Sequence, residues 1–178
     1  TTPPNYEKGV FKAIKKSGIN IAEAIFFAHG TTVIINSITE RKGSVTALIT
    51  TKGFRDSLEI ARGDRPDFFN LRYKKPEPFV PRYLRAEVPG RIDFLGKEIE
   101  KLDLKNLNTI IKTFKKHKVK SIAVCLLHAY ANPKHEQLIA KAINKKWPEF
   151  EVVTSNELTR EWREYERTNT TALCAYVK

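Results

Sequence analysis

Four short polar stretches each follow an apolar run: His29-Gly30-Thr31-Thr32, Thr50-Thr51-Lys52-Gly53, His128-Ala129-Tyr130 and Thr154-Ser155-Asn156. Their residue types can do chemistry. An imidazole titrates near neutral pH and can act as acid, base or hydrogen-bond donor. Gly30 permits close backbone approach, and the threonines after it add hydroxyls at a helix start, where free N–H groups favour an anion. The simpler reading of Thr31 or Thr32 is a helix cap. Lys52 could meet a phosphate, or it could be a solvated turn lysine. A zinc site is not expected, because no HxxxH, HExxH or nearby Cys pair is present. Asp93 in GRIDF could hold a metal, but a hairpin-end cap or a salt bridge explains it better. His117 and His135 are expected on the surface. The pattern GxxxxGK[ST] of a phosphate loop is absent.

These stretches share a site only if the elements before them are parallel. Residues 3–17 read as an amphipathic helix, AIFFA (24–28) as a buried strand, and 31–41 as a helix with Gly43 just beyond it. VTALIT (45–50) is a strand and 54–61 a short helix. Residues 62–81 hold four of the nine prolines and no clear period, so they read as an irregular excursion. Residues 83–101 read as antiparallel hairpin material turning near Gly96-Lys97, with Pro89 at a sheet edge or bulge. Asp103 is expected to cap a helix carrying Leu104, Leu107, Ile110, Ile111 and Phe114 on one stripe. SIAVCLL (121–127) is a strand, Asn132-Pro133 opens a helix, 151–154 is a strand, and a last helix starts at Asn156 or Thr159. The alternation predicts an α/β fold: a mostly parallel sheet with flanking helices, right-handed crossovers and a β-hairpin excursion. One α/β domain over 1–178 is expected, with the irregular and hairpin insertion at about 62–101.

In such sheets, ligands bind beyond the carboxyl ends of the strands, which would bring His29 and His128 to one rim. The last segment, TREWREYERTNTT, supplies Arg160, Glu161, Arg163, Glu164 and Arg167 at ion-pairing helical spacing. Thr168, Asn169, Thr170 and Thr171 are poor helix formers in a row, which points to polar contacts.

Composition narrows the class. The chain has 178 residues, 41% of them apolar, enough for one ordinary core. No apolar run approaches the roughly 20 residues that span a bilayer, and the polar start TTPPNYEKG is no secretory signal. It also lacks an initiator Met, as expected of a piece of a larger protein. Two cysteines without a CxxC fit a reducing cytoplasm. The net charge of +12 comes from 32 Lys+Arg against 20 Asp+Glu. The lysine pairs are scattered, and the aromatics cluster with prolines rather than lysines. A basic nucleic-acid-binding module is therefore the alternative, not the leading reading. A non-catalytic assembly domain that docks through FFNLRY and PFVPRYL is a third.

Five ordered blocks point further: HGTTVIINSITERKG, ALITTKGFRDSLEIARGDRPD, VPRYLRAEVPGRID, AVCLLHAYANPKHE and REYERTNTTALCAYV. Together they resemble the N-terminal region of the hydantoinase/oxoprolinase family, which includes an N-methylhydantoinase A subunit, 5-oxoprolinase, and acetone and acetophenone carboxylase subunits. The resemblance implies part of an actin-like ATPase fold. It implies an ATP- and Mg2+-dependent enzyme that activates a cyclic amide by phosphorylation before hydrolysis, or alternatively the ATP-using subunit of a ketone carboxylase. It also implies partners: a cyclic amide or ketone, the remainder of the subunit and a second subunit, with no nucleic acid and no membrane. Family members normally begin with a phosphate-binding hairpin, whereas this chain starts at TTPPNYEKG. Ile35 and Ser37 stand where Thr and Ala are usual. On this reading His29 and His128 are the catalytic candidates, and Gly30, Thr31 and Thr32 line the nucleotide site. Lys52, Glu164, Arg167, Thr168 and Thr170 shape the cleft.

Overall fold

The apolar runs TALITT and SIAVC become neighbouring strands, β1 (Thr46–Thr51) and β5 (Ser121–Cys125), and every residue of both is buried. Strands covered on both faces need apolar side chains in both directions, which is what these runs supply. β2 (Arg85–Val88) and β6 (Glu151–Thr154) flank them in the order β2-β1-β5-β6, with every pairing parallel. The computed structural model describes residues 5–26, 28, 30, 32–63, 67 and 69–178. They fall into two compact units, Thr1–Val33 and Ile34–Lys178.

The first unit contains α1 (Tyr6–Ser17), which stops at Gly18 in the left-handed region, and a 3-10 turn at Ile21–Glu23. Of the strand expected at 24–28, Phe27 lies outside the described residues. Among its described residues none is extended in a ladder, and Ile25 and Phe26 are exposed. A strand exists through hydrogen bonds to a neighbour, and a five-residue apolar run does not name one. The strands of the sheet all come from the second unit.

After α2 (Val33–Thr39) the chain passes Gly43, where a Cβ would collide with Tyr176. Glycine is required there by close approach to Tyr176 rather than as a helix end. A short α3 (Ser57–Ile60) follows β1. The described part of 62–81 has no helix or strand, yet it is anchored. Lys75 Nζ donates to the Ile60 carbonyl at 3.0 Å, and the buried Arg85 Nε to the Val80 carbonyl at 3.0 Å.

The stretch expected to be one hairpin is two things. Residues 85–88 join the main sheet as its edge strand, paired with β1 from Leu48↔Arg85 to Thr51↔Val88. Pro89 follows immediately, at the edge its missing N–H allows. Gly90, at φ 132°, lets the chain leave the sheet; a Cβ there would lie 2.9 Å from Leu102 Cα. Among the described residues, only β3 (Arg91–Ile92) and β4 (Glu98–Glu100) pair antiparallel. Asp93 caps their turn, its Oδ1 accepting from Leu95 and Lys97 N–H.

In α4 (Leu107–Lys116), Leu107, Ile111 and Phe114 are buried as the stripe predicts, each contributing about 1.5–3 kcal/mol relative to exposure. Asp103 does not cap this helix. Its Oδ1 accepts from Lys105 N–H, in the turn before it. α5 (Lys134–Lys146) opens at Asn132-Pro133, with Asn132 Oδ1 accepting from Lys134 N–H. The final helix is split into α6 (Ser155–Leu158) and α7 (Glu164–Tyr176). Thr159 is extended, the conformation a β-branched residue favours, so it ends one helix instead of starting another. α7 packs on β5, β6 and β1, and α5 on β6 and β5.

Candidate functional site

Four parallel strands put four carboxyl ends on one rim of the second unit. At β1 the chain turns through Lys52 and Gly53, and Glu87 Oε1 accepts from Gly53 and Arg55 N–H at 2.8 and 3.2 Å. At β5 it continues into Leu126, Leu127 and His128. Each polar backbone group at the start of that loop meets a side chain. Leu126 N–H donates to Glu136 Oε1 (2.8 Å), Leu126 O accepts from Arg167 Nη2 (2.8 Å), and Leu127 N–H donates to Thr51 Oγ1 (3.0 Å).

Glu136 and Arg167 are both fully buried. Ser155, the first residue after β6, joins them: its hydroxyl accepts from Arg167 Nε at 3.2 Å and donates to Glu136 Oε1 at 2.7 Å. Asn156 N–H adds a third donor to Glu136 at 3.0 Å. Burial pushes the Glu136 carboxyl above its ordinary range, while Ser155, the two N–H groups and the Arg167 cation push back. Three donors thus converge on the Glu136 carboxyl, two backbone N–H groups and one hydroxyl. Arg167 also donates to Glu161 O and to Glu164 Oε2, each at 2.7 Å.

Two residues beyond this lock, His128 takes φ 57°, a left-handed backbone that costs a non-glycine residue about 1–2 kcal/mol. Its Nδ1 lies 3.2 Å from the Tyr130 hydroxyl. Burial lowers the imidazole below its ordinary 6.5. Arg91 and Arg167 add to this, and Glu164 and Asp93 oppose it. The shift favours the neutral ring, the form that can accept a proton. It lines a cavity of about 490 Å³ with Ala61, Arg62, Leu127, Tyr130, Trp162 and Arg163–Glu166. Arg62 Nε is paired with Glu166 Oε1 at 2.6 Å, and the Arg167 guanidinium stands 5.5 Å from the Tyr130 ring centre. The nearby Cys125 is no nucleophile, because burial pushes its thiol up to about 11.

Residues 1–147 match the profile of the hydantoinase/oxoprolinase N-terminal region. The chain belongs to the hydantoinase/oxoprolinase family. It is 36% identical over its full length to an uncharacterized protein of Methanocaldococcus jannaschii, covering 27% of that protein. Over 88% of its length it is 33% identical to the caprolactamase subunit alpha of Pseudomonas jessenii, covering 23% of it. The crystal structure of the ATP-dependent caprolactamase from that organism superposes with a TM-score of 0.83 at 31% identity, over 99% of this chain and 26% of that one. Acetone carboxylase in its nucleotide-free structure gives 0.84 at 24% identity, over 99% and 28%; at that identity the likeness shows the fold alone. The chain spans about a quarter of the length of these relatives.

Of the family's blocks as read in the sequence, AVCLLHAYANPKHE and REYERTNTTALCAYV meet at this rim, bringing His128, Glu164 and Arg167 together. Thr168 is buried beneath them, with Oγ1 3.2 Å from Cys125 Sγ, and Thr170 is exposed on α7. Lys52 is exposed beside the β1 turn, with its N–H donating to Val88 O. Gly30 and Thr32 lie in the first unit and are exposed, and a Cβ on Gly30 would meet nothing. His29 and Thr31 lie outside the described residues. His135 is not on the surface: it is 2% exposed, with Nε2 2.7 Å from Glu98 Oε1. His117 is exposed.

Sequence reasoning missed Glu136 and named Tyr130 only as part of the polar stretch after the strand. An acidic residue in a helix's first turn ordinarily reads as a partner for the helix dipole. The available signal was position: Glu136 faces the strand end only because the loop from Leu126 to Pro133 is short.

Proposed function

We propose that this chain is the N-terminal part of an ATP-dependent enzyme that opens a cyclic amide, and that the cavity beside His128 receives the substrate. The observation that carries the reading is the imidazole of His128, held at a strand's carboxyl end beside the Tyr130 hydroxyl and lining a cavity with both apolar and polar walls. Membership of the family and the similarity to a protein named caprolactamase support a lactam as the class. Leu127, Ala61 and the aromatic rings of Tyr130 and Tyr165 would cover the methylenes of such a ring. His128 and Tyr130 offer a donor and an acceptor to an amide, and the neutral imidazole takes up a proton as the ring opens. Glu164, fixed by Arg167, stabilises the imidazolium that results.

ATP, when bound, would supply phosphorylation of the amide oxygen. The cavity does not fit a triphosphate. Its arginines, Arg62 and Arg163, face Glu164 and Glu166 in equal number, and Arg62 is already paired. No step is therefore derived through the nucleotide. Among the described residues no group of three or more His, Cys, Asp or Glu is placed to hold a metal, so Mg2+ is assigned no ligand in them. Gly30, Thr31, Thr32 and His29 remain the proposed nucleotide-side residues. A second subunit and a cytoplasmic setting belong to the same proposal. The caprolactamase relative is named as a subunit. Both cysteines are free, and no described helix is long and apolar enough to cross a membrane.

The test uses the complete subunit with its partner. ATP hydrolysis is expected to rise with lactams, hydantoins or 5-oxoproline and not with simple ketones. His128→Gln is expected to lower that stimulated turnover about 10²- to 10⁴-fold. Stimulation by ketones alone would move the chain to the carboxylase reading. Unchanged turnover in His128→Gln would remove the cavity from the chemistry.

A further inference from the structure

Buried charges seldom stabilise a fold better than apolar side chains of the same volume would, so a fully buried Glu and Arg at one strand end call for another explanation. Here they grip both backbone polar groups of a single residue. Glu136 takes the N–H of Leu126 and Arg167 takes its carbonyl, while Thr51 takes the next N–H. Three consecutive backbone groups are thus fixed from three different elements. The next residue is His128, in its left-handed conformation. Arg167 also reaches the other side of the cavity through Glu164 and stands over Tyr130. Ser155 carries the polarity between the cation and the anion, accepting from one and donating to the other.

We propose that Glu136 and Arg167 are positioning residues for His128, joined through Ser155. They hold the Leu126–Leu127 backbone so that the imidazole enters the cavity in one orientation, beside Tyr130 and facing Glu164. The proposal rests on the cavity being the reactive site, but the coupling can be measured without turnover. The groups that set the His128 environment are Glu164 and Arg167 from α7, Arg91 from β3, Asp93 from the hairpin turn and Tyr130 from its own loop.

The experiment follows the His128 ring by NMR titration of this chain, with the resonance assigned by its loss in His128→Gln. Glu136→Gln cannot accept all three donors. Arg167→Lys keeps the charge but loses the fork that spans Leu126 and Glu164. Ser155→Ala is a milder cut in the same chain. Glu87→Gln is the control, because it loosens the neighbouring turn at β1. Freed of its anchor the ring gains water, so its midpoint is expected to rise by about half a pH unit or more in the first three variants and to stay in place in the control. If the three variants melt earlier but leave the midpoint unmoved, the cluster is only structural and the proposal fails. An equal rise in Glu87→Gln means general loosening and also overturns it. Should Glu136→Gln not fold, Ser155→Ala and Arg167→Lys decide. Failure of His128→Gln to affect turnover in the complete enzyme would sink the functional reading and leave this coupling intact.

Discussion

Two turns on the same rim use the same device at different depths. After β1, Glu87 accepts two backbone N–H groups from Gly53 and Arg55 and is half-buried. After β5, Glu136 accepts two backbone N–H groups and a hydroxyl and is fully buried, with Arg167 behind it. Water can replace part of what Glu87 does. Nothing can replace Glu136, since its donors lie in a medium that solvates none of them. The comparison separates a turn that is merely closed from a turn that is fixed. Only the fixed one carries a histidine into a cavity.

Removing Glu136 should therefore have the largest effect. Glu136→Ala leaves Leu126 N–H, Asn156 N–H and the Ser155 hydroxyl without their acceptor, and Arg167 without its nearby anion on that side. The expected cost is about 3–5 kcal/mol in urea unfolding. Glu87→Ala should cost only about 1 kcal/mol, because its two N–H groups can turn to solvent. Equal costs would mean that depth does not distinguish the turns. Next in size is a non-additivity. The double variant Glu136→Leu with Arg167→Met should unfold at lower cost than the sum of its single variants, since neither then leaves a buried charge unmatched. A strictly additive pair would show that the two groups do not act together through Ser155.

How far this contrast was readable from the residues depends on the range of the contact. The runs VTALIT and SIAVCLL and the stripe from Leu104 to Phe114 are local signals, and each yielded its element, with the strands at Thr46–Thr51 and Ser121–Cys125 and the helix at Leu107–Lys116. His128 and the α7 pair Glu164 and Arg167 were readable as polar groups at a strand end and at helical spacing. Glu136 and His135 were not, because nothing near them in sequence distinguishes a buried first turn from an exposed one. The described residues of AIFFA join no strand for a related reason: pairing is non-local, and apolar runs do not choose their neighbours. Residues 85–88 went to the main sheet instead of a hairpin because their partner, β1, is distant in sequence, and Gly90 then lets the chain leave the sheet.

A third carboxylate extends the comparison to the surface and should show the smallest effect. Glu98, on β4, accepts from Lys134 Nζ at 2.8 Å and meets His135 Nε2 at 2.7 Å, pinning the hairpin to α5. The hydrogen bond to His135, then that to Lys134, holds its carboxyl down at about 2, against an ordinary 4.5. The folded state thus binds the proton less readily than the unfolded chain. Stability from this group is fully present above 4.5 and is lost as pH falls from there to about 2. Glu136 runs the other way. Its folded value is raised by burial, so acidification through that value favours the fold. Thermal melts in acid should then separate the two groups. Glu98→Gln should flatten the loss of stability between 4.5 and 2, whereas Ser155→Ala, which removes a donor from Glu136, should leave that limb as it is. A Glu98→Gln profile identical to that of the unsubstituted chain would mean the pin contributes nothing. The gradient would then run only from the buried turn to the half-buried one.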